Sequence, residues 1–283
     1  MKLLSFVSIA IFLIGCSNYG QLNFITKLPK AVKENSGIAY YGNEKAWFIE
    51  DHGNDDILYQ IGFNGNLLRE IKVKNGGNND WEDLAKDSEG NLYIADTGNN
   101  NNKRKDLTIY KVPNPENNSG NSIDAEKITF NYPEQKEFPP KKDNLIYDAE
   151  AIFYKNNSIF IITKDRSKPF KGRALIYKVP AKKGNYEAVL VGEFNPCNTD
   201  GICQVTSADI SPDGKKIVLL GYGLLWVFSD FTTDNFTQGS LKTIELGATT
   251  QLESVSFSDN NTLLISDEER GKTGQNLYSY KLN

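Results

Sequence analysis

Histidine is almost missing from this chain: His52 is the single one in 283 residues. A Ser-His-Asp hydrolase would have to rest on that one base, and no GxSxG motif is present to carry its nucleophile. His52 lies between Asp51 and Gly53. It reads first as a solvent-facing turn residue, with a dyad to Asp51 as the other reading. Basic excess is lacking as well. With 32 Lys and Arg against 36 Asp and Glu, the formal charge is -4, which excludes the electrostatics of phosphate-backbone binding and so nucleic acid as a partner. No Gly-rich phosphate loop occurs, because Gly76 and Gly77 sit in a GGNND turn that no helical pattern follows.

Cysteine is scarce too, with three in the chain. At the N-terminus Lys2 precedes an apolar run from Leu3 to Ile14, too short to span a bilayer and built like an export signal. Leu13-Ile14-Gly15-Cys16 resembles the bacterial lipoprotein box, in which the cysteine is acylated, with palmitate for example, and becomes the new N-terminus. On that reading residues 1–15 are the signal peptide, 16–21 a lipidated tether and 22–283 the folded domain, held to a membrane through Cys16. An ordinary signal or membrane anchor is the alternative. No acidic cluster follows Ser17 and Asn18, which points to an outer-membrane lipoprotein facing the periplasm, with surface display left open. Cys197 and Cys203, in NPCNTDGICQ, read as a local disulfide of an exported protein, since CxxxxxC without a nearby His is poor zinc spacing.

What the chain does have is a repeat. From Asp80 to Pro113 a short strand opened by acids, a turn, a strand ending in Asp96, a polar loop and a third strand follow one another, and the plan returns from Tyr147, closing on the same IYKVP. Fainter copies begin near Ser36, Ser207 and Glu253. Short alternating strands at this spacing, with no helical period, predict an all-β fold, a five-bladed β-propeller. The innermost strands are expected at Gly37–Tyr41, Leu84–Asp87, Ala151–Tyr154, Asp209–Ser211 and Glu253–Phe257. The last repeat supplies three strands only, so Leu22–Leu28 is expected to complete its sheet and clasp the ring. A sixth blade would need the Pro- and Lys-rich connection from Glu134 to Asn144 to fold, and its composition argues against that. One domain, acting as a monomer, is expected.

In an antiparallel sheet the start of the innermost strand lies beside the end of the next one, so both reach one face of the propeller. Strand starts give Ser36, Glu82, Glu150, Ser207 and Glu253, with Asp83 and Asp148 adjacent; second-strand ends give Asp51, Asp96, Lys164, Tyr222 and Asp267. Crowded carboxylates repel one another and call for a counter-charge. Hard oxygen ligands suit Ca²⁺, with Mg²⁺ the alternative, and Lys164 supplies part of the neutralisation itself. Asp in DTGN or DHGN also has a plainer reading as the cap of its own turn.

Together DWEDLA, LYIADTGNN with IYKVP, DAEAIF with IFIITK, VTSADISPDGKKIVLLGYG and ESVSF with LLISDE resemble a family of exported bacterial propellers of unassigned function. More distantly the chain is similar to phytase-like and gluconolactonase-like propellers. That resemblance implies Glu82, Glu150 and Glu253 as calcium ligands, with Asp96 and Asp267 beside them; Ser36, Ser207 and Lys164 depart from the pattern. The expected function is cation and ligand binding at the acidic mouth, the ligand a small molecule or an envelope protein. In its enzymatic form this is metal-assisted hydrolysis of a phosphoester or lactone with Glu82 or Glu150 as base. A non-catalytic binding or scaffolding lipoprotein of the cell envelope is the alternative.

Overall fold

Short apolar runs punctuated by tight turns bury their side chains most readily as small sheets packed face to face. The computed structural model describes residues 18–282. The expected signal peptide and Cys16 lie outside the described residues. After β1 (Asn23–Lys27), the first blade is built from β2 (Asn35–Tyr40), β3 (Lys45–Glu50), β4 (Ile57–Gly62) and β5 (Leu67–Lys74). The second takes β6 (Trp81–Lys86), β7 (Leu92–Asp96) and β8 (Thr108–Val112), then, past a short β9 (Ser122–Asp124), β10 (Glu126–Asn131). β11 (Asp148–Lys155), β12 (Ser158–Lys164), β13 (Ala174–Pro180) and, past a short β14 (Gly184–Glu187), β15 (Val189–Phe194) make the third. The fourth is β16 (Val205–Ile210), β17 (Ile217–Gly221), β18 (Leu224–Ser229) and β19 (Ser240–Glu245). The fifth holds β20 (Leu252–Phe257), β21 (Thr262–Asp267) and β22 (Asn276–Lys281).

β1 completes that fifth blade, pairing antiparallel with β22 so that Asn23 faces Ser279 and Lys27 faces Asn276. The five innermost strands, β2, β6, β11, β16 and β20, each pack on the next and close a ring. Every boundary between blades is filled by its own apolar cluster. Trp47, Trp81 and Tyr110 lie between the first and second blades, Tyr93 and Tyr177 between the second and third, and Phe153 and Trp226 between the third and fourth. Val218 and Tyr278 fill the next boundary, and Phe48 with Leu264 the last. Each fully buried large side chain of this kind contributes about 1.5–3 kcal/mol relative to exposure, so the ring is held at all five joints.

Two details differ from the sequence expectation. The short strands β9 and β14 fall in segments too polar and too brief to show alternation, and each crosses to pair in parallel with the outer strand of the preceding blade, β5 and β10 respectively. They cover edges that would otherwise be open. All five innermost strands also start earlier than expected, at Asn35, Trp81, Asp148, Val205 and Leu252, and the fourth-blade strand runs Val205–Ile210 instead of Asp209–Ser211. The added stretches carry Ser36, Glu82, Glu150 and Thr206, polar side chains at which the apolar alternation breaks off. The connection before blade three contains a single 3₁₀ turn, Lys142–Asn144, and no further blade.

Candidate metal centre

Each innermost strand carries a β-bulge near its start. The register with the second strand slips between Asn35 and Gly37, Trp81 and Asp83, Ala149 and Ala151, Val205 and Ser207, and Leu252 and Ser254. The residues left over are Ser36, Glu82, Glu150, Thr206 and Glu253. A bulge re-aims the extra side chain out of the ladder, and here the same device acts in every blade. Thr206, one residue before the expected Ser207, is therefore the fourth-blade counterpart of the three glutamates. The short members bond across blade boundaries, Ser36 Oγ donating to Trp81 O at 2.9 Å and Thr206 Oγ1 to Leu252 O at 2.9 Å. Glutamate is long enough to reach past the boundary into the mouth.

There Glu150 and Glu253 join one network. Lys164 Nζ forms an ion pair with Glu150 Oε2 and donates to Tyr222 Oη at 3.2 Å, while Tyr222 Oη donates to Glu253 Oε1 at 2.9 Å. Arg166 bridges Asp148 Oδ2 at 2.6 Å and Glu150 Oε1 at 2.5 Å. Gln251 Nε2 links Glu253 (2.7 Å) to Glu268 (2.5 Å). Burial pushes the Glu150 carboxyl up, to about 8, against the Lys164 and Arg166 charges that hold it down. Glu268 rises to about 9, through burial and then the Glu253 charge. For Lys164 burial opposes the charge, but Glu150, Tyr222 and Glu253 outweigh it and its pKa is raised.

Glu82 differs from its two counterparts. It is 7% exposed, and no hydrogen bond to it is found among the described residues. Its carboxylate belongs to two acidic groups whose oxygens lie within 4.8 Å of one another, Asp51–Asp80–Glu82 and Glu82–Asp148–Glu150. The second group already holds Lys164 and Arg166. The first is faced by His52 Nδ1, 3.7 Å from Asp80 on an imidazole that is 75% exposed and donates to Asn79 O (2.6 Å). Burial, then the Glu150, Asp51 and Asp148 charges, raise Glu82 well above the usual carboxylate range. Asp80 is pushed up to about 7, chiefly by burial and then by Asp51. Gly98 makes room for the pair: a Cβ there would sit 2.2 Å from Glu82 Oε1 and 2.4 Å from Asp80 Oδ2.

Asp96 and Asp267, expected beside the glutamates, are fully buried and engaged elsewhere. Asp96 Oδ1 accepts from Asp80 N at 2.8 Å and from Arg104 Nη1 at 3.1 Å. Asp267 accepts from Asn276 N at 2.7 Å and Tyr278 Oη at 2.8 Å. Neither belongs to the two acidic groups, whereas Asp51, Asp80 and Asp148, which the sequence reading left out of the ligand set, do. Asp80 lies ahead of its strand; its signal was the acidic run Asp80-Trp81-Glu82-Asp83. Arg166, in the polar loop after Lys164, reads in the sequence either as one of the basic residues around the acidic mouth or, more plainly, as a solvated loop cation; the first holds, because Asp165 fixes that loop by accepting from Ser167 N, Lys171 N and Arg173 N, which delivers the guanidinium to the mouth. Cys197 and Cys203 form a disulfide in the loop before β16, with Cα atoms 5.3 Å apart.

Asp83, next to Glu82, points into the axis below the mouth. It accepts from Leu84 N (2.9 Å), Ile152 N (2.9 Å), Ala208 N (3.2 Å) and Ser207 Oγ (3.0 Å), and Ser207 Oγ in turn accepts from Val255 N at 3.0 Å. Four innermost strands are thus tied together at one level. Asp83, Ala151, Ser207 and Ser254 are all at 0% exposure there, so solvent does not pass along the axis.

No model of a known protein family matches this chain, and no curated protein matches it. Among solved structures it is similar to the PQQ-bound aldose sugar dehydrogenase of Streptomyces coelicolor, with a TM-score of 0.53 and 9% identity over 94% of this chain and 99% of that one. A gluconolactonase from Xanthomonas campestris gives 0.46 and 11% identity, over 88% of this chain and 72% of that one. Virginiamycin B lyase from Staphylococcus aureus gives 0.43 and 14%, over 90% and 69%. At such identities the similarity shows the fold, and the fold is a β-propeller.

Proposed function

We propose that the acidic mouth binds a divalent cation, Ca²⁺ or in its place Mg²⁺, and through it an oxygen-rich ligand. Glu82 carries the reading: a buried carboxylate with no hydrogen-bond donor, shared by two acidic groups and cradled by a glycine, lacks the counter-charge its neighbours have. The donor set is all carboxylate oxygen, which fits a hard cation. Asp51, Asp80 and Glu82 are the residues that would hold it, with Asp148 and Glu150 on the far side of Glu82. A cation bound there would polarise a ligand oxygen and acidify a water. In an enzymatic form, hydrolysis of a phosphoester or lactone, Glu82 is the better candidate base, because both Glu150 oxygens are occupied by Lys164 and Arg166. Those two cations also orient and neutralise anionic groups of the ligand.

One observation favours a second, non-catalytic reading. Lys164 and Arg166 already supply an internal counter-charge to half of the mouth, as in a binding or scaffolding module that turns nothing over. In either form the resemblance of Leu13-Ile14-Gly15-Cys16 to a lipoprotein box supports a cell-envelope protein tethered through Cys16, an outer-membrane lipoprotein facing the periplasm or displayed at the surface. Calorimetric titration of Ca²⁺ into the folded chain, repeated with Glu82→Gln and Glu150→Gln, tests the site; affinity unchanged in both variants would remove it. Turnover of a phosphoester or lactone panel, abolished by a chelator, selects the enzyme.

A further inference from the structure

The ring has a second mouth, and it is lined by different chemistry. Below the Asp83 level a cavity of about 540 Å³ opens where the innermost strands end, walled by one residue or more from every blade: Ala39, Leu84, Tyr154, Asp209 and Phe257, with Lys86 at its side. That size falls within the roughly 300–1,000 Å³ of small-ligand sites. A second hollow of about 390 Å³ shares Lys86 and Phe257 and continues it towards Tyr41 and Asn114.

We propose that this lower mouth is a separate binding site for an uncharged sugar of mono- or disaccharide size. The lining decides the class. Asp209 accepts from Ile210 N at 2.8 Å, Phe257 N at 2.7 Å and Ser256 Oγ at 3.2 Å, and keeps lone pairs for further donors. Lys86 Nζ donates to Tyr40 O and lies 4.6 Å from the Tyr41 ring centroid, with protons left over; among the described residues no carboxylate is within ion-pair distance of it. The other charged residues on the wall are occupied, Lys155 by Asp234 at 3.6 Å and Asp87 by Asn91 N at 2.9 Å and Tyr93 Oη at 3.1 Å.

An anionic ligand brought to Lys86 would face Asp209, and a cationic one brought to Asp209 would face Lys86. A hydroxyl donates to the first and accepts from the second, so a polyol satisfies both without bringing a charge of its own. Burial, which raises Asp209 to about 6, penalises added charge there in the same sense. Tyr154 and Phe257 supply apolar surface for the C–H face of a sugar ring.

Isothermal titration of maltose, cellobiose and N-acetylglucosamine into the folded full chain, with gluconate and glucosamine as charged comparators, tests the assignment. At least one neutral sugar should bind, more tightly than either comparator. Lys86→Met and Asp209→Asn should each weaken it about tenfold. Lys86 is solvent-exposed, so its variant keeps the fold and stands as the readout if the Asp209 variant unfolds. Glu82→Gln, at the opposite mouth, should leave sugar affinity unchanged, which separates failure here from failure of the cation site. Silence with all three neutral sugars, tighter binding of a charged comparator, or wild-type affinity in Lys86→Met overturns the proposal.

Discussion

Glu82 and Asp83 are consecutive residues of one strand, both buried, both acidic, and the fold treats them in opposite ways. Asp83 receives four donors from three blades and closes the axis. Glu82, lifted out of the ladder by a bulge, receives none and borders two other groups of acids. Burial alone therefore does not tell a structural carboxylate from a functional one; the supply of donors does. An acid whose donors are built in belongs to the architecture. One left without them is where the proposed cation finds its place.

That contrast can be broken most severely at Asp83. Asp83→Ala strands four buried donors and should cost about 3–5 kcal/mol, read as a lower midpoint in urea unfolding. A cost below about 1 kcal/mol would erase the distinction between the neighbours. Lys164→Met should cost about 3 kcal/mol by leaving Glu150 without its ammonium partner, and adding Glu150→Gln should recover part of the loss.

A smaller effect comes from pH. Asp80, Glu150 and Glu268 have folded values raised to about 7, 8 and 9, so between their unfolded values and these the folded chain holds more protons than the unfolded one. Stability should fall by about 2 kcal/mol as pH climbs from about 5 to 9 in the presence of a chelator. Added Ca²⁺ should flatten that decline, because a cation takes over from the protons; thermal unfolding across the range checks both. The mildest change is expected for Glu82→Gln, which relieves a buried charge and should leave stability equal or about 1 kcal/mol higher, while abolishing the gain from Ca²⁺. Loss of stability comparable to Asp83→Ala would mean that Glu82, too, is architecture.

The repeat made the ring legible in the sequence: matching IYKVP strands, the missing last strand and the spare N-terminal segment lead to five blades closed by β1. Much of the mouth was legible as well, because the glutamates recur at corresponding places. What sequence pattern does not reveal is direction. Bulges leave no trace in a polar–apolar pattern, so Thr206 could not be told from Ser207, nor the outward Glu82 from the axial Asp83. Asp96 and Asp267 look like mouth residues by position and are turned instead to Arg104 and to Tyr278. For Arg166 the sequence leaves mouth and solvated loop both open, and Asp165, by folding that loop, decides for the mouth.

The clasp between β1 and β22 brings the start of the first strand beside the end of the last. A circle sealed in this way has no necessary beginning: a short linker from Lys281 to Asn18, with new termini cut in the connection after Tyr132, would yield a permuted chain with the same blades in rotated order. The seam would then lie within a continuous polypeptide, and the order in which the blades are synthesised would become a free variable of the molecule.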